Sequence, residues 1–244
     1  MGTKTVWGII LASGWGMRLR SWGTIPKPLT PIKGRPLIEY PAKTLRAVGV
    51  DSVVVVERPG TNVHEAIEPL FERVVTIINY RVWLGNAYSL SLALKAIPAN
   101  EFVTVIMSDH VIEPTILRKV LGTARKKRHH SLGVDARPKW VDVDEATKVV
   151  VSGGRVVRAG KELAKWDAVD VGAATVINYE DLTRRAEIAA LEGMGFSQFM
   201  AGVSAVAADV SGRAWFDIDS LEEVAEASIG RLREVIELWE RETG

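Results

Sequence analysis

An apolar run over residues 6–11 enters Ala12-Ser13-Gly14-Trp15-Gly16-Met17-Arg18-Leu19-Arg20, and nine residues after Arg18 comes Lys27-Pro28-Leu29. A strand that runs straight into small residues and glycines builds a loop whose backbone N–H groups can approach a polyphosphate without side-chain obstruction. Arg18 supplies a planar fork and Lys27 a point charge, the two kinds of cation that a triphosphate and its pentacoordinate transition state require. This pattern predicts a nucleotide-binding α/β fold and points to phosphoryl or nucleotidyl transfer.

Two familiar glycine loops fit less well. A dinucleotide fingerprint needs a third glycine three residues beyond Gly16, and Leu19 stands there. A phosphate-binding loop of the G-x-x-x-x-G-K-[ST] kind needs a Gly-Lys pair that neither Gly14 nor Gly16 provides. An ordinary strand-to-helix turn can also hold two glycines, and it is Arg18 with Lys27-Pro28-Leu29 that lifts this loop above that reading.

Composition narrows the classes further. The 244 residues are 47% hydrophobic and 25% charged, ordinary for a globular chain with one large core. With 31 basic against 30 acidic residues the formal charge is +1, so no whole-chain field favours nucleic acid and anion binding must be local. The run Arg125-Lys126-Lys127-Arg128-His129-His130 reads as a solvated helix end. Cysteine is absent, which excludes disulfides, thiolate metal sites and a cysteine nucleophile, and the four histidines do not have zinc-ligand spacing. Apolar stretches fall well short of the ~20 residues that cross a bilayer, and the amino terminus enters a strand too early for a signal peptide. A cytoplasmic enzyme without membrane insertion is expected.

Along the chain, strand signals at 6–11, Ser52–Glu57, 74–79 and Phe102–Met107 alternate with helical spacing at 36–48, 62–73 and 86–97. Such alternation implies a parallel sheet covered on both faces, with ligands at the carboxyl ends of the strands. After a helix near 113–127 the pattern changes. A strand at 131–136 and a hairpin across Gly153-Gly154, joining 148–152 to 155–159, imply antiparallel pairing, and 170–178 can return to the main sheet. Helices are expected at 180–191, 196–207 and 221–241. With no linker or repeat, residues 1–244 read as one domain, 1–130 serving mainly the nucleotide and 131–244 mainly the acceptor.

The pattern L-A-x-G-x-G-x-R-L followed by P-K-P-L resembles the signature of the sugar nucleotidyltransferases, which join a nucleoside triphosphate to a sugar phosphate and release pyrophosphate. Met107-Ser108-Asp109-His110, the run from Gly85 to Leu90, the run from Val141 to Val149, and the run from Trp166 to Gly172 are similar to one branch, the CTP:inositol-1-phosphate cytidylyltransferases. The resemblance implies a Rossmann-like three-layer α/β/α fold with a predominantly parallel mixed sheet and an antiparallel hairpin insertion. It also implies CTP and inositol 1-phosphate as substrates, and a functional link to a separate membrane synthase that uses CDP-inositol.

Nucleotidyl transfer brings two anions together, and a divalent cation, Mg²⁺, usually bridges the phosphate oxygens. Asp109 ends the apolar strand Phe102–Met107 and lies where the family places its metal-binding aspartate; from sequence alone it could instead cap the following helix. The segment Trp215-Phe216-Asp217-Ile218-Asp219-Ser220 is similar to the family's second metal motif, with Asp217 as the ligand and Asp219 in reserve. Leu11, Ala12, Ser13, Gly14 and Gly16 would hold the nucleotide, with Asn86 and Ser89 near its base. Arg18, Lys27 and Asp109 would carry the chemistry. Lys161 matches the family's lysine for the acceptor phosphate. Asp144, Glu145, Lys148 and Asp170 flank the hairpin and suit a polyol rich in hydroxyls. Asp170-Val171-Gly172 departs from the branch's Asp-Thr-Gly by losing a hydroxyl. Two rivals stay open: a cytidylyltransferase for phosphocholine or another alcohol phosphate, and a nucleotide-sensing module without chemistry.

Overall fold

The computed structural model describes residues 6–16 and 25–243. Arg18 lies outside the described residues. In chain order the strands are β1 (Trp7–Ala12), β2 (Pro31–Ile32), β3 (Arg35–Pro36), β4 (Ser52–Glu57), β5 (Arg73–Ile78), β6 (Phe102–Met107), β7 (His110–Ile112), β8 (Ser131–Asp135), β9 (Lys148–Ser152), β10 (Arg155–Gly160), β11 (Ala168–Ile177), β12 (Val206–Asp209) and β13 (Trp215–Asp217). The α-helices are α1 (Glu39–Ala47), α2 (Gly85–Leu94), α3 (Pro114–Lys127), α4 (Glu180–Leu191), α5 (Phe196–Gly202), α6 (Leu221–Ile229) and α7 (Arg231–Thr243).

The runs Trp7–Ala12 and Ser52–Glu57 are buried along their whole length, the signature of parallel strands covered on both faces. Strands β5, β4, β1 and β6 are neighbours in that order and all parallel. The long β11, expected at 170–178 as a strand that could return to the main sheet, does so antiparallel to β6, and β8, β12, β10 and β9 follow. Because β9 pairs with both β10 and β11, this second half of the sheet closes on itself. Helices α2, α4 and α5 bury Leu90, Leu182 and Phe199 against one face, and α1 and α3 bury Leu45 and Leu117 against the other. The result is a three-layer α/β/α fold around a mixed sheet, as the sequence resemblance implied.

A third apolar cluster joins α7 to the two-stranded pair β7–β13, with Tyr40, Phe216, Ile218 and Trp239 fully enclosed. Thr44 ties it to the body: its hydroxyl accepts from Trp239 Nε1 at 2.8 Å and donates to the Ile112 carbonyl at 2.9 Å. Among the described residues no helix is long and apolar enough to cross a membrane. The basic run at 125–128 is an exposed helix end, where cations meet the carbonyl pole.

Several sequence expectations need correction. The helix expected at 62–73 is two short 3-10 turns, Val63–Ala66 and Glu68–Leu70. Asn62 enters with a left-handed φ of 49° and Pro69 cannot donate to a continuous ladder. The helix expected at 196–207 stops at Gly202, Ser204 turns with φ 52°, and Val206–Asp209 becomes a strand beside Ser131–Val134. The helix expected at 221–241 breaks at Gly230, whose backbone is extended (φ −111°, ψ −156°), and Glu226 caps the new helix by accepting from the Arg231 N–H at 3.1 Å. The pair β7–β13 has three residues in each strand, too short for alternation to show in the sequence.

Candidate active site

Two clefts open at the carboxyl ends of β1 and β6, where ligands bind in open α/β sheets. The smaller, about 240 Å³, is bordered by Leu11, Ala12, Gly14 and Gly16 of the first loop together with Lys27 and Pro28. The larger, about 370 Å³, is bordered by Glu145, Lys161, Asp170, Gly172, Ser197 and Asp217. Asn86, Met107, Asp109 and Asp219 border both. The molecule therefore offers one lobe to a glycine loop, a second to a carboxylate-rich wall, and a charged seam between them.

The seam is assembled from three distant segments. Lys27 sits on a 3-10 turn, Lys27–Leu29, closed by the Thr30 N–H on the Lys27 carbonyl at 3.1 Å and anchored by the Ile38 N–H on the Pro28 carbonyl at 2.8 Å. Its stem passes against Gly16, where φ is +58° and an added Cβ would come within 2.8 Å of the lysine Cβ. The second glycine of the loop thus serves the approach of Lys27 as well as that of a ligand. The ammonium donates to Asp109 Oδ2 and to Asp219 Oδ1, each at 2.5 Å, and the lysine side chain is 9% exposed. Burial alone would depress the Lys27 pKa, but the two carboxylates outweigh it and hold the group above its ordinary value. For Asp109 burial likewise works the other way, and Lys27 with His110 keeps its carboxyl well below the usual range.

Sequence reasoning chose Asp217 over Asp219, and the structure puts Asp219 on the ammonium that Asp109 also holds. The β7–β13 pairing sets Asp217 opposite His110, and the Ile218 N–H donates to the Asp109 carbonyl at 3.0 Å. Strand alternation sends Ile218 into the third cluster, while Asp217 and Asp219 both border the cleft. Asp217 has its pKa raised, chiefly by burial, with Asp219 and Asp109 adding and His110 opposing.

His110 borders the larger lobe and contacts Asp109, which borders both. Its Nδ1 donates to Asp109 Oδ1 at 2.8 Å, and its ring lies parallel to Trp215, centroids 6.2 Å apart at 7°. The opposite edge meets Gly172, which has φ +70° and where an added Cβ would fall 2.4 Å from the ring. Burial would lower the His110 pKa, but Asp109, Asp217 and Asp170 raise it on balance. Gly172 is therefore needed for the imidazole to fit.

Asp170, also buried, accepts from the Gly172 N–H at 2.9 Å and from the Ser197 hydroxyl at 2.6 Å. Its pKa is raised because burial exceeds what these donors return. Ser197 was not visible in the sequence, since a serine in the first turn of a helix is common. Lys161 stands half-exposed at the mouth of the larger lobe, 3.7 Å from Glu145. Four other candidates fall elsewhere. Ser13 and Ser89 face one another at 2.8 Å in a buried cluster with Asn79, beneath the loop rather than on its surface. The Lys148 ammonium donates to the Asp144 and Lys161 carbonyls at 3.3 and 2.9 Å, so it staples the hairpin base while the exposed Asp144 side chain lies off the cleft wall.

Residues 8–180 match the MobA-like NTP transferase domain. The chain belongs to that family. The match runs from Gly8 in β1 through β11 and takes in the glycine loop, Lys27 and Asp109, whereas Ser197, Asp217 and Asp219 on the cleft wall lie beyond it. Among its relatives, the bifunctional IPC transferase and DIPP synthase of Rubrobacter xylanophilus is 35% identical over 228 residues, 90% of this chain and 50% of that protein. The protein of the same name from Thermococcus kodakarensis is 33% identical over 224 residues, 90% of this chain and 49% of that one. The chain thus spans about half the length of these curated relatives. The solved inositol-1-phosphate CTP transferase from T. maritima superposes with a TM-score of 0.83 at 24% identity, covering 98% of each chain, and shares the transferase fold.

Proposed function

We propose that this chain is a cytidylyltransferase that moves CMP from CTP onto inositol 1-phosphate, giving CDP-inositol and pyrophosphate. The observation that carries the reading is the seam itself: one lysine and two carboxylates from remote segments meet where a glycine-loop lobe joins a polar lobe. The names of the two relatives above agree with that chemistry. We read residues 1–244 as one domain with a nucleotide half and an acceptor half, acting in the cytoplasm and supplying CDP-inositol to a membrane synthase.

In this reading the backbone of Leu11, Ala12, Gly14 and Gly16 receives the nucleotide, with Asn86 near its base and Ser13 and Ser89 supporting the loop from below. Arg18 and Lys27 neutralise the triphosphate. Lys161 draws in the acceptor phosphate, and Glu145, Asp170 and Asp217 accept hydrogen bonds from the ring hydroxyls. The attacking phosphate oxygen of the acceptor approaches the α-phosphorus in line, the bond to the β-phosphate oxygen breaks, and pyrophosphate leaves; no covalent enzyme intermediate is needed.

Asp109 and Asp219 fit a divalent cation, because both present hard oxygens that already converge on one positive group at 2.5 Å. A bound Mg²⁺ would supply charge neutralisation between the two phosphates. Asp217, whose neighbour is His110, would border the same site from the acceptor side.

The test is pyrophosphate release from a matrix of four nucleoside triphosphates against inositol 1-phosphate, sugar phosphates and phosphocholine. Release with CTP and inositol 1-phosphate above every other pair is expected. Preference for phosphocholine would replace the acceptor, and no release with any pair would turn the reading into that of a nucleotide sensor.

A further inference from the structure

The position in which Asp109 Oδ2 and Asp219 Oδ1 converge holds the Lys27 ammonium, 2.5 Å from each. A divalent cation of magnesium's size takes carboxylate oxygens at about 2.0–2.1 Å and demands near-octahedral geometry. An ammonium and such an ion cannot share these two oxygens: their separation would be a few ångströms, and their charges repel in a half-buried site where water screens poorly. We propose that Lys27 has two stations, one on the Asp109–Asp219 pair when the nucleotide lobe is empty and one on the triphosphate when it is filled, so that the metal enters only with the nucleotide.

Three features of the chain suit such a move. The Lys27 backbone is fixed by the turn and by the Ile38 N–H on the Pro28 carbonyl, and its Cβ is fixed against Gly16, so only the four-carbon stem has to swing. A lysine ammonium is a point charge without directional preference, so it can exchange one set of anionic oxygens for another at little geometric cost, which an arginine fork cannot. Both stations border the same small lobe, formed by Gly14, Gly16, Lys27, Asp109 and Asp219, so the swing crosses no barrier of packed side chains. At its resting station the ammonium also offsets the repulsion between the two carboxylates it bridges.

The nucleotide half of this proposal rests on the triphosphate reading given above, whereas the metal half can be measured without any nucleotide. Binding of Mn²⁺ to the full chain is followed by electron paramagnetic resonance in nucleotide-free buffer for the natural chain, Lys27→Met and Lys27→Arg. Lys27→Met is expected to bind Mn²⁺ at least about tenfold more tightly than the natural chain, because the competing cation is gone, while Lys27→Arg stays weak. A folded Lys27→Met chain that binds Mn²⁺ no better than the natural one overturns the proposal. So does a natural chain whose Mn²⁺ affinity is already tight without nucleotide.

Lys27→Met removes the ammonium that bridges Asp109 and Asp219 and can fail to fold. A melt that recovers on adding Mn²⁺ then supports the shared station. For a chain that stays unfolded, the ¹⁵N signal of the Lys27 ammonium in the natural protein decides: it shifts on saturation with CTP in metal-free buffer if Nζ leaves the carboxylates, and an unmoved signal overturns the proposal. If CTP shows no binding heat at all, the nucleotide reading fails, and the Mn²⁺ comparison between the natural chain and Lys27→Met still stands or falls by itself.

Discussion

The two lobes of the cleft treat buried charge in opposite ways. At the nucleotide side, the Lys27 ammonium and the Asp109 and Asp219 carboxylates compensate one another directly. At the acceptor side, Asp170 has neutral partners, the Ser197 hydroxyl and the Gly172 N–H. The first arrangement lowers the pKa of Asp109, and the second leaves that of Asp170 raised, because dipoles return less than burial removes. Charge-on-charge contacts can be exchanged for other ions, which suits the metal and polyphosphate uptake proposed above. Dipole-on-charge contacts hold a wall in place and leave a carboxylate bordering the cleft, as the proposed contact with acceptor hydroxyls requires.

Breaking the charge-compensated side should cost most. Lys27→Ala or Asp109→Ala is expected to lower pyrophosphate release about a thousandfold. Residual turnover within a few-fold of the natural chain would show that the seam is structural only. Within the same side, the two aspartates of Trp215-Phe216-Asp217-Ile218-Asp219 should separate. Asp219→Asn is expected to cost about a hundredfold in kcat, and Asp217→Asn less than about tenfold; the reverse order would return the metal to the residue that family resemblance indicates.

The second half of the chain carries its own pH sensitivity. His130 Nδ1 accepts from the Ile177 N–H at 3.1 Å, where β8 begins beside β11, and burial, with His129 and Arg185 adding, holds its pKa down at about 4 against 6.5 for a free imidazole. Between those values the unfolded chain binds a proton that the folded chain refuses. Stability from this group is therefore complete above pH 6.5 and declines as the pH falls toward 4, with about 2 kcal/mol lost by pH 5, on the order of the linkage for a well-buried histidine. Urea midpoints at pH 7.5 and 5 should show that loss, and His130→Gln, which keeps an acceptor without titrating, should flatten it. The smallest effect is expected at the dipole-held wall. Ser197→Ala should raise the acceptor KM about tenfold and leave the KM for CTP unchanged, since a hydrogen bond to a charged group contributes about 1.5–3 kcal/mol and part of it is recovered by water. A change in the CTP constant instead would mean that the lobes are not separable.

Much of this was legible beforehand because its signals are local. The strands Ser52–Glu57 and Phe102–Met107, the Gly153-Gly154 hairpin and the helix Glu180–Leu191 fall where periodicity and turn chemistry put them. Leu11, Gly16, Lys27 and Asp109 meet at one lobe as the strand-to-loop pattern suggested. The choice between Asp217 and Asp219 was not legible: alternation along a strand sends both to the same side, and only the ending of β13 at Asp217 and the position of Lys27 separate them. Ser89 and Lys148 had the right residue types for the site but spend their polar atoms on Ser13 and on the Lys161 carbonyl.

By itself the sequence determined a strand that opens into a glycine loop, the change from parallel to antiparallel pairing halfway along, and the reservoir of cations and carboxylates from which a phosphate site could be drawn. Tertiary structure alone decided which of them meet. Lys27 lies 82 residues from Asp109 and 192 from Asp219, and their contact depends on the three-residue pairing of β7 with β13 and on Gly16 and Gly172 leaving room for Lys27 and His110. Local preferences act over a few residues, so which distant groups converge is set by packing.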